Sequence, residues 1–197
     1  MKHLLLFACF VSTAAAIFAT ALFQELERFN DLRRAFAKSN AIPNMWRLDL
    51  DIDLMKQAEK FDCKQKRGDN YRYFLFQGGK DADNVNQFWI DWLAKTEKIN
   101  PDLANDQVHS WENKSALVFE YVAPHQTHIG CADVNCVVEF DVPSTYVVYR
   151  RVCLFGPSNV LNLTLPLDPK SGKIPGSECG HDGSNFDGLC VRKNWKH

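Results

Sequence analysis

The stretch that decides the fold is ALVFEYVAPHQTHIGCADVNC, residues Ala116–Cys136. Its first part, Leu117–Val122, and a later segment, His128–Ala132, are rich in β-branched and aromatic residues and are separated by a proline-containing link. Such segments bounded by Pro and Gly are typical of strands. Gly130 beside Cys131 indicates a close backbone approach or a bulge, with the sulfur linked to a distant part of the chain. The sequence therefore predicts a central sheet here.

Helices are predicted before and beside this sheet. Apolar residues recur at helical spacing over residues 22–38, with a helix end at Ser39-Asn40 and Pro43. Asp51 is placed to cap a second helix, which is predicted to end near Cys63. A third helix is predicted over 84–98, and the polar run 101–112 is predicted to be a loop.

Further strands complete an α+β pattern. They are predicted over 71–76, 136–140 and 146–155. After Gly156-Pro157 no periodic segment of useful length occurs, so residues 157–197 are predicted to form an extended tail. Helices followed by strands, with one more helix between them, indicate helices packed on a sheet.

The N-terminus and the cysteines predict secretion. Residues 1–19 combine Lys2, an apolar run and small residues at the cleavage positions, which is typical of a signal peptide and too short for a membrane anchor. Its removal takes away Cys9 and leaves six of the seven cysteines. An even number in a secreted chain implies three disulfides, and fifteen connectivities are open from sequence alone. Asn113 and Asn162 begin N-glycosylation sequons.

The charge balance excludes one class of partner. The formal net charge is −1, with 23 basic and 24 acidic residues. A chain without a basic field is not expected to bind nucleic acid or anionic membranes. No second apolar run approaches the length of a membrane span.

Several motifs occur in a characteristic order. His128-Ile129-Gly130-Cys131-Ala132 resembles the end of the GHYTQ…IGCA signature of the CAP superfamily, which contains cysteine-rich secretory, antigen 5 and pathogenesis-related class 1 proteins. Phe29–Arg33 stands where that family has HNxLR, and Gly68-Asp69-Asn70 where it has GEN. Trp89–Trp92 resembles its W-x-x-E, and Tyr146-Val147-Val148 its YVVC.

This resemblance implies a fold. CAP domains are three-layer α-β-α sandwiches, which here would cover residues 20–165, followed by a cysteine-containing, hinge-like tail over 166–197. It also implies the disulfide pairs Cys63–Cys136, Cys131–Cys153 and Cys179–Cys190. Relatives with degenerate motifs, the venom-allergen-like proteins of parasites, imply a secreted protein that acts on an extracellular host partner.

The CAP metal cleft is degenerate in this sequence. In that family two His and two acidic residues can hold a divalent metal, a sensible donor set for zinc. The four positions fall on Phe29, Asp69, Trp92 and Leu117. Because three of the four are apolar, no metal and no cofactor are expected there, and the cleft is expected to be filled as core.

No other catalytic motif replaces this cleft. The sequence contains no nucleophile elbow, Walker loop, HExxH or CxxC. His125 and His128 are spaced as a possible ligand pair and are interpreted as surface or interface residues. Acidic residues such as Glu120, or Asp49 with Asp51, are interpreted as solvated faces or helix caps. The protein is therefore expected not to be an enzyme.

A binding function is then the alternative to catalysis, and its strongest candidate site is Arg67-Gly68-Asp69. An RGD turn presents a guanidinium and a carboxylate on either side of a flexible glycine. Integrins grip such a carboxylate through a metal ion and the arginine through acidic groups. Cys63 tethers this loop upstream, which lowers the entropy lost on binding. An alternative interpretation of Asp69, as the remnant of GEN, directs it toward the old cleft.

A lipid carrier is the second hypothesis. Aromatic residues could line an apolar groove, although aromatics at helical spacing are more often core. The candidates for such a groove are Phe29, Phe36, Trp46, Trp89 and Trp92. The sequence therefore leaves two hypotheses, an integrin-type receptor ligand and a sterol or fatty-acid carrier.

Overall fold

The computed structural model describes residues 2–63, 68–76, 119–139, 146–161 and 171–195, with backbone alone at 2–19, 21 and 138–139. Five single residues between these ranges are also described: Lys95, Asn100, Asp102, Asp106 and Ser110. The helices are α1 (Lys2–Ser39), α2 (Ile52–Ala58) and α3 (Phe119–Val122). The strands are β1 (Asp49–Leu50), β2 (Arg72–Phe76), β3 (His128–Glu139), β4 (Tyr146–Gly156), β5 (Gly183–Phe186) and β6 (Leu189–Arg192).

Helix α1 contains the predicted helix 22–38 and ends where the sequence predicts. Its buried face includes Leu26, Phe29 and Phe36. Ala41 adopts a left-handed φ of 51°, and the Ile42 N–H then donates to the Ala37 carbonyl at 3.0 Å. A left-handed residue just past the last turn satisfies carbonyls that the helix leaves free. The predicted signal peptide lies within this helix and stays a prediction.

The main sheet has the strand order β1-β3-β4-β2. Strands β3 and β4 pair antiparallel, as do β2 and β4, whereas β1 pairs parallel to β3. The predicted strand 128–132 and the described part of the predicted strand 136–140 belong to the single strand β3, with a bulge between Asp133 and Cys136. The predictions for 71–76 and 146–155 are confirmed as β2 and β4.

The strand predicted over Leu117–Val122 is wrong in its described part. Phe119–Val122 forms α3, and all four side chains are buried. Tertiary contacts override the β-propensity of these residues, because the turn places Glu120 against Arg72 and turns the Tyr121 carbonyl toward Arg33. The predicted loop 101–112 also differs at its described positions, since Asp102, Asp106 and Ser110 are helical. Of the predicted third helix only Lys95, which is helical, is described.

The two faces of the main sheet bury different elements. One face packs against α1 and α3 and includes Phe74, Ile129, Cys153 and Phe155. The other packs against α2 and includes Ala132, Val152 and Leu154. Side chains alternate between faces along a strand, so β4 contributes to both clusters. The described residues thus form an α+β fold with helices on both faces of the sheet.

The link between α3 and β3 is held by one buried arginine, Arg33 of α1. Its side chain is fully buried, and its guanidinium donates five hydrogen bonds of 2.6–3.2 Å, all to backbone carbonyls. The acceptors are the carbonyls of Trp46, Tyr121, Ala123, Pro124 and Gln126. Burial lowers the pKa of Arg33 to about 9, which still leaves the side chain charged at neutral pH.

Helix α2 lies directly on the sheet at Gly130. Asp51 caps the helix by accepting from the N–H groups of Asp53 and Leu54, as predicted. The helix ends at Ala58, five residues before the predicted end near Cys63, and Phe61 packs below it. A Cβ at Gly130 would lie 2.2 Å from the backbone N of Met55. The close approach that the sequence predicts at Gly130 is therefore a helix–sheet contact.

We expect Gly130→Ala to destabilise the protein by about 1–3 kcal/mol, because the added methyl group forces α2 away from the sheet. Denaturant unfolding of the variant measures this change. Val137→Ala, at an exposed position of the same strand, is the matched control and should change stability by less than about 0.5 kcal/mol. Equal stability of Gly130→Ala and wild type would contradict the contact.

Three disulfides are present, and they are the pairs that the CAP resemblance implies. Cys63–Cys136 closes the longest loop, with a sequence separation of 73. Cys131–Cys153 joins directly opposed residues of β3 and β4, so this sulfur links neighbouring strands rather than a distant segment. Cys179–Cys190 joins residues 11 apart near the C-terminus.

The C-terminal region is not an extended tail in its described part, which corrects the fold prediction. Strands β5 and β6 form a hairpin whose turn residues Asp187 and Gly188 both have positive φ. An Asp-Gly pair is a strong local signal for such a two-residue turn. The hairpin docks on the core, since the Cys190 N–H donates to the Met45 carbonyl and the Arg47 N–H to the Cys190 carbonyl. The proposed boundary at residue 166 stays a prediction.

Candidate receptor-binding loop

The candidate loop leaves the core at Cys63 and returns to it at Tyr71. Cys63 is covalently linked to Cys136 of β3. Tyr71 is 6% exposed and packs in the cluster on the α2 side of the sheet, to which Cys136 also belongs. Both ends of the loop are therefore fixed to the same region of the core.

The RGD sequence lies within this loop, and two of its residues are described. Gly68 is half-buried, and Asp69 is exposed, as is Asn70 after it. Asp69 makes no ion pair with any residue that the structure describes. Arg67 lies outside the described residues. Of the two interpretations of Asp69, exposure to solvent is the one observed.

A buried ion pair lies directly after the loop. Arg72 is 1% exposed and Glu120 is 0% exposed. Arg72 Nε donates to Glu120 Oε2 at 2.6 Å and Nη2 donates to Oε1 at 2.9 Å, while Nη1 donates to the Asn159 carbonyl at 3.1 Å. This bidentate geometry is the strong form of an ion pair. Burial, together with the charge of Glu120, raises the pKa of the neighbouring Tyr73.

The sequence missed this pair. The sequence interpretation of Glu120 as a residue of a solvated acidic face is wrong, because its side chain is buried in the core. Its partner is 48 residues away in the chain. The only sequence signal for this ion pair is a single Glu within an apolar run, together with a single Arg at the start of another strand.

The degenerate CAP cleft is represented by Phe29 and Asp69, since Trp92 and Leu117 lie outside the described residues. Phe29 is buried among Phe76, Tyr121 and Phe155, with ring centroids 5.6–5.7 Å apart. It therefore occupies core space and supplies no metal donor, so the residues described at this position do not fit a metal.

One acidic and sulfur-containing group remains in the described part of the chain, formed by Glu25, Cys131 and Cys153. The two sulfurs are bonded to each other, so they are not thiolate ligands. The Glu25 carboxylate accepts from both Nε and Nη2 of Arg151. This group is therefore a disulfide beside an ion pair.

The other sequence candidates have ordinary structural roles. Both ring nitrogens of His128 are engaged, Nδ1 with Thr127 Oγ1 and Nε2 with Arg192. His125 Nε2 lies 3.2 Å from the Val160 carbonyl, and burial lowers the pKa of this ring. Asp49 pairs with Arg47.

The aromatic residues proposed to line a lipid groove do not share one kind of environment. Phe29 and Phe36 are core residues, and Trp46 is half-buried. Trp89 and Trp92 lie outside the described residues, as do the sequon residues Asn113 and Asn162. The described aromatics therefore give no support to a groove.

Comparison with known proteins gives likeness of structure only. No protein-family model matches the sequence, and no curated protein matches it significantly. The chain is similar to the solved structures of Na-ASP-1 (TM-score 0.39, 19% identity, 84% of this chain and 44% of that chain) and of a hookworm platelet inhibitor (0.44, 16%, 86% and 91%). A third, NaASP2 with Zn²⁺, has TM-score 0.41 and 16% identity over 84% and 94%.

At 16–19% identity these are likenesses of structure, and the resemblance of the sequence motifs to the CAP superfamily stays a prediction. The chain spans less than half of the length of Na-ASP-1. Within the part that the structure describes, no helix is long and apolar enough to cross a membrane.

Proposed function

We propose that this chain is a secreted, non-catalytic binding protein of the CAP type, whose loop at Arg67-Gly68-Asp69 is recognised by an extracellular adhesion receptor of the integrin class. The observation that carries the proposal is the exposure of Asp69. A carboxylate can complete the coordination of a receptor-bound divalent cation only if it is exposed, so that the metal can replace the water around it.

The construction of the loop supports this function. A loop fixed at both ends loses less conformational entropy on binding than a free one. Here the Cys63–Cys136 disulfide fixes one end, and Tyr71 with the buried Arg72 fixes the other. The exposed carboxylate thus projects from a rigid base.

Three disulfides agree with an oxidising, extracellular compartment, and we propose removal of residues 1–19 on secretion. For the whole chain we propose the three-layer α-β-α sandwich of CAP domains. The non-catalytic role is supported by the place of Phe29 in the core, where the CAP cleft would need a metal donor.

The test is inhibition of adhesion of integrin-bearing cells, such as platelets, by the purified protein. Asp69→Ala should lose at least about 2 kcal/mol of binding, or about 30-fold in potency, as expected for a central interface residue. Asp69→Glu should also lose potency, because the longer side chain displaces the carboxylate from the metal. Circular dichroism confirms that each variant is folded.

Asp53→Ala is the matched control, because it removes another exposed carboxylate, from α2, and should leave potency unchanged. Equal inhibition by wild type and Asp69→Ala would place binding on another face. If the wild-type protein does not inhibit adhesion at all, the integrin hypothesis is wrong. Extraction of lipids from the purified protein then tests the alternative of a sterol or fatty-acid carrier.

A further inference from the structure

We infer that Tyr71 is the residue that positions Asp69 for its receptor, by holding the backbone of Gly68 against its aromatic ring. This inference rests on the proposed function of the loop, and it adds a positioning residue that neither the RGD sequence nor the CAP motifs include.

The contact between Gly68 and Tyr71 is unusually close. A Cβ at position 68 would lie 2.3 Å from Tyr71 Cε1, 2.4 Å from Cζ and 2.7 Å from Cδ1. The φ of Gly68 lies outside the left-handed region, so backbone conformation does not require glycine here. The lack of space requires glycine at position 68, because a side chain of any size would collide with the ring of Tyr71.

The ring itself is held in place. Tyr71 is buried in the cluster with Leu54, Ala58 and Phe61, and the next residue, Arg72, is clamped to Glu120. A ring that cannot retreat forms a fixed support. A displacement at this contact therefore moves the loop rather than the core.

The other side of the turn is also supported. A Cβ at Gly156, the last residue of β4, would lie 3.3 Å from the Asn70 carbonyl oxygen. The backbone is therefore closely packed both before and after Asp69, at Gly68 on the tyrosine ring and at Asn70 on β4. Asp69 and Asn70 themselves are exposed to solvent.

Gly68 thus has a different role here from the glycine of a free RGD peptide. In a free RGD peptide the glycine provides flexibility, whereas here Gly68 provides close approach and thereby rigidity. Preorganisation of this kind increases affinity by lowering the entropy lost when the carboxylate is immobilised. Tyr71 acts on binding without touching the receptor.

The experiment compares Tyr71→Leu with Tyr71→Phe in the full-length mature protein. Tyr71→Phe keeps the ring and should behave like wild type, whereas Tyr71→Leu removes the planar support. We expect the NMR order parameter of the Asp69 amide to fall from about 0.85 to below about 0.6 in Tyr71→Leu. We expect its potency in blocking adhesion to fall about tenfold.

The amide of Asp187, in the turn of the remote hairpin, is the internal control and should not change. If Tyr71→Leu does not fold, Gly68→Ala tests the same contact from the solvent side, and it should also loosen Asp69. An unchanged order parameter at Asp69 in these variants overturns the inference. The inference is also overturned if Tyr71→Leu blocks adhesion with unchanged potency in an assay in which Asp69→Ala has lost its potency.

The two proposals fail separately. A drop in order at Asp69 in Tyr71→Leu, in a protein whose wild type does not block adhesion, supports the positioning role and overturns only the integrin receptor. Loss of potency in Asp69→Ala without any change in order in Tyr71→Leu supports the receptor and overturns the positioning role.

Discussion

Glu120→Ala is expected to lower the free energy of unfolding by about 3–5 kcal/mol, because it removes the carboxylate from a buried ion pair in which Arg72 donates two hydrogen bonds. The pair has no access to water, with Arg72 1% and Glu120 0% exposed. Arg72 also donates to the Asn159 carbonyl, a neutral group that does not replace the charge of Glu120. Denaturant unfolding monitored by tryptophan fluorescence and circular dichroism measures the loss.

The double variant Arg72→Met/Glu120→Leu separates two interpretations of this result. If the loss comes from an uncompensated charge, removal of both charges should recover most of it, since apolar residues often replace a buried ion pair without loss. Asp53→Ala is the control for an exposed pair and should change stability by no more than about 1 kcal/mol. A loss of similar size in Glu120→Ala and Asp53→Ala would show that the core pair is not needed.

Folding of the candidate loop depends on the same pair. Arg72 follows Tyr71 directly, so loss of the ion pair releases the residue that supports Gly68. Variants at Glu120 are therefore expected to reduce both stability and the order of Asp69. Tyr71→Leu, in contrast, is expected to act mainly on Asp69.

Local signals predicted a large part of the fold. Asp51 caps α2, and the β-branched runs of β3 and β4 form the antiparallel centre of the sheet, because caps and strand composition act over a few residues. The hairpin β5–β6 was missed although Asp187-Gly188 is also a local signal. Its strands are only four residues each, too short to show a periodic pattern.

Long-range contacts explain the remaining differences. Nothing in Phe119–Val122 itself favours a helix over a strand, and its conformation follows from Arg72 and Arg33, which are 48 and 88 residues distant. The candidate site shows the same limit. The sequence identifies Asp69 as a possible receptor ligand, but its exposure and the contacts of its neighbours, Gly68 with Tyr71 and Asn70 with Gly156, are seen only in the folded chain.

Arg33→Met is expected to prevent stable folding or to lower the free energy of unfolding by at least about 4 kcal/mol. All five N–H donors of the guanidinium are used, and each acceptor is a backbone carbonyl that would lose this hydrogen bond. Arg33→Lys should still cost at least about 2 kcal/mol, because an ammonium has three donors and no planar fork.

The neighbouring Arg34→Met is the matched control. Arg34 Nε lies 2.9 Å from Oδ2 of the exposed Asp187, without the geometry of a hydrogen bond, and loss of this ion pair should cost no more than about 1 kcal/mol. Hydrogen exchange then locates the damage. In Arg33→Lys the amides of Ala123 and 125–127 should lose protection first, because the carbonyls of Ala123, Pro124 and Gln126 in this link accept from Arg33, while the amides of α2 keep their protection. Uniform loss of protection across both regions would show that Arg33 contributes general core packing rather than holding this link.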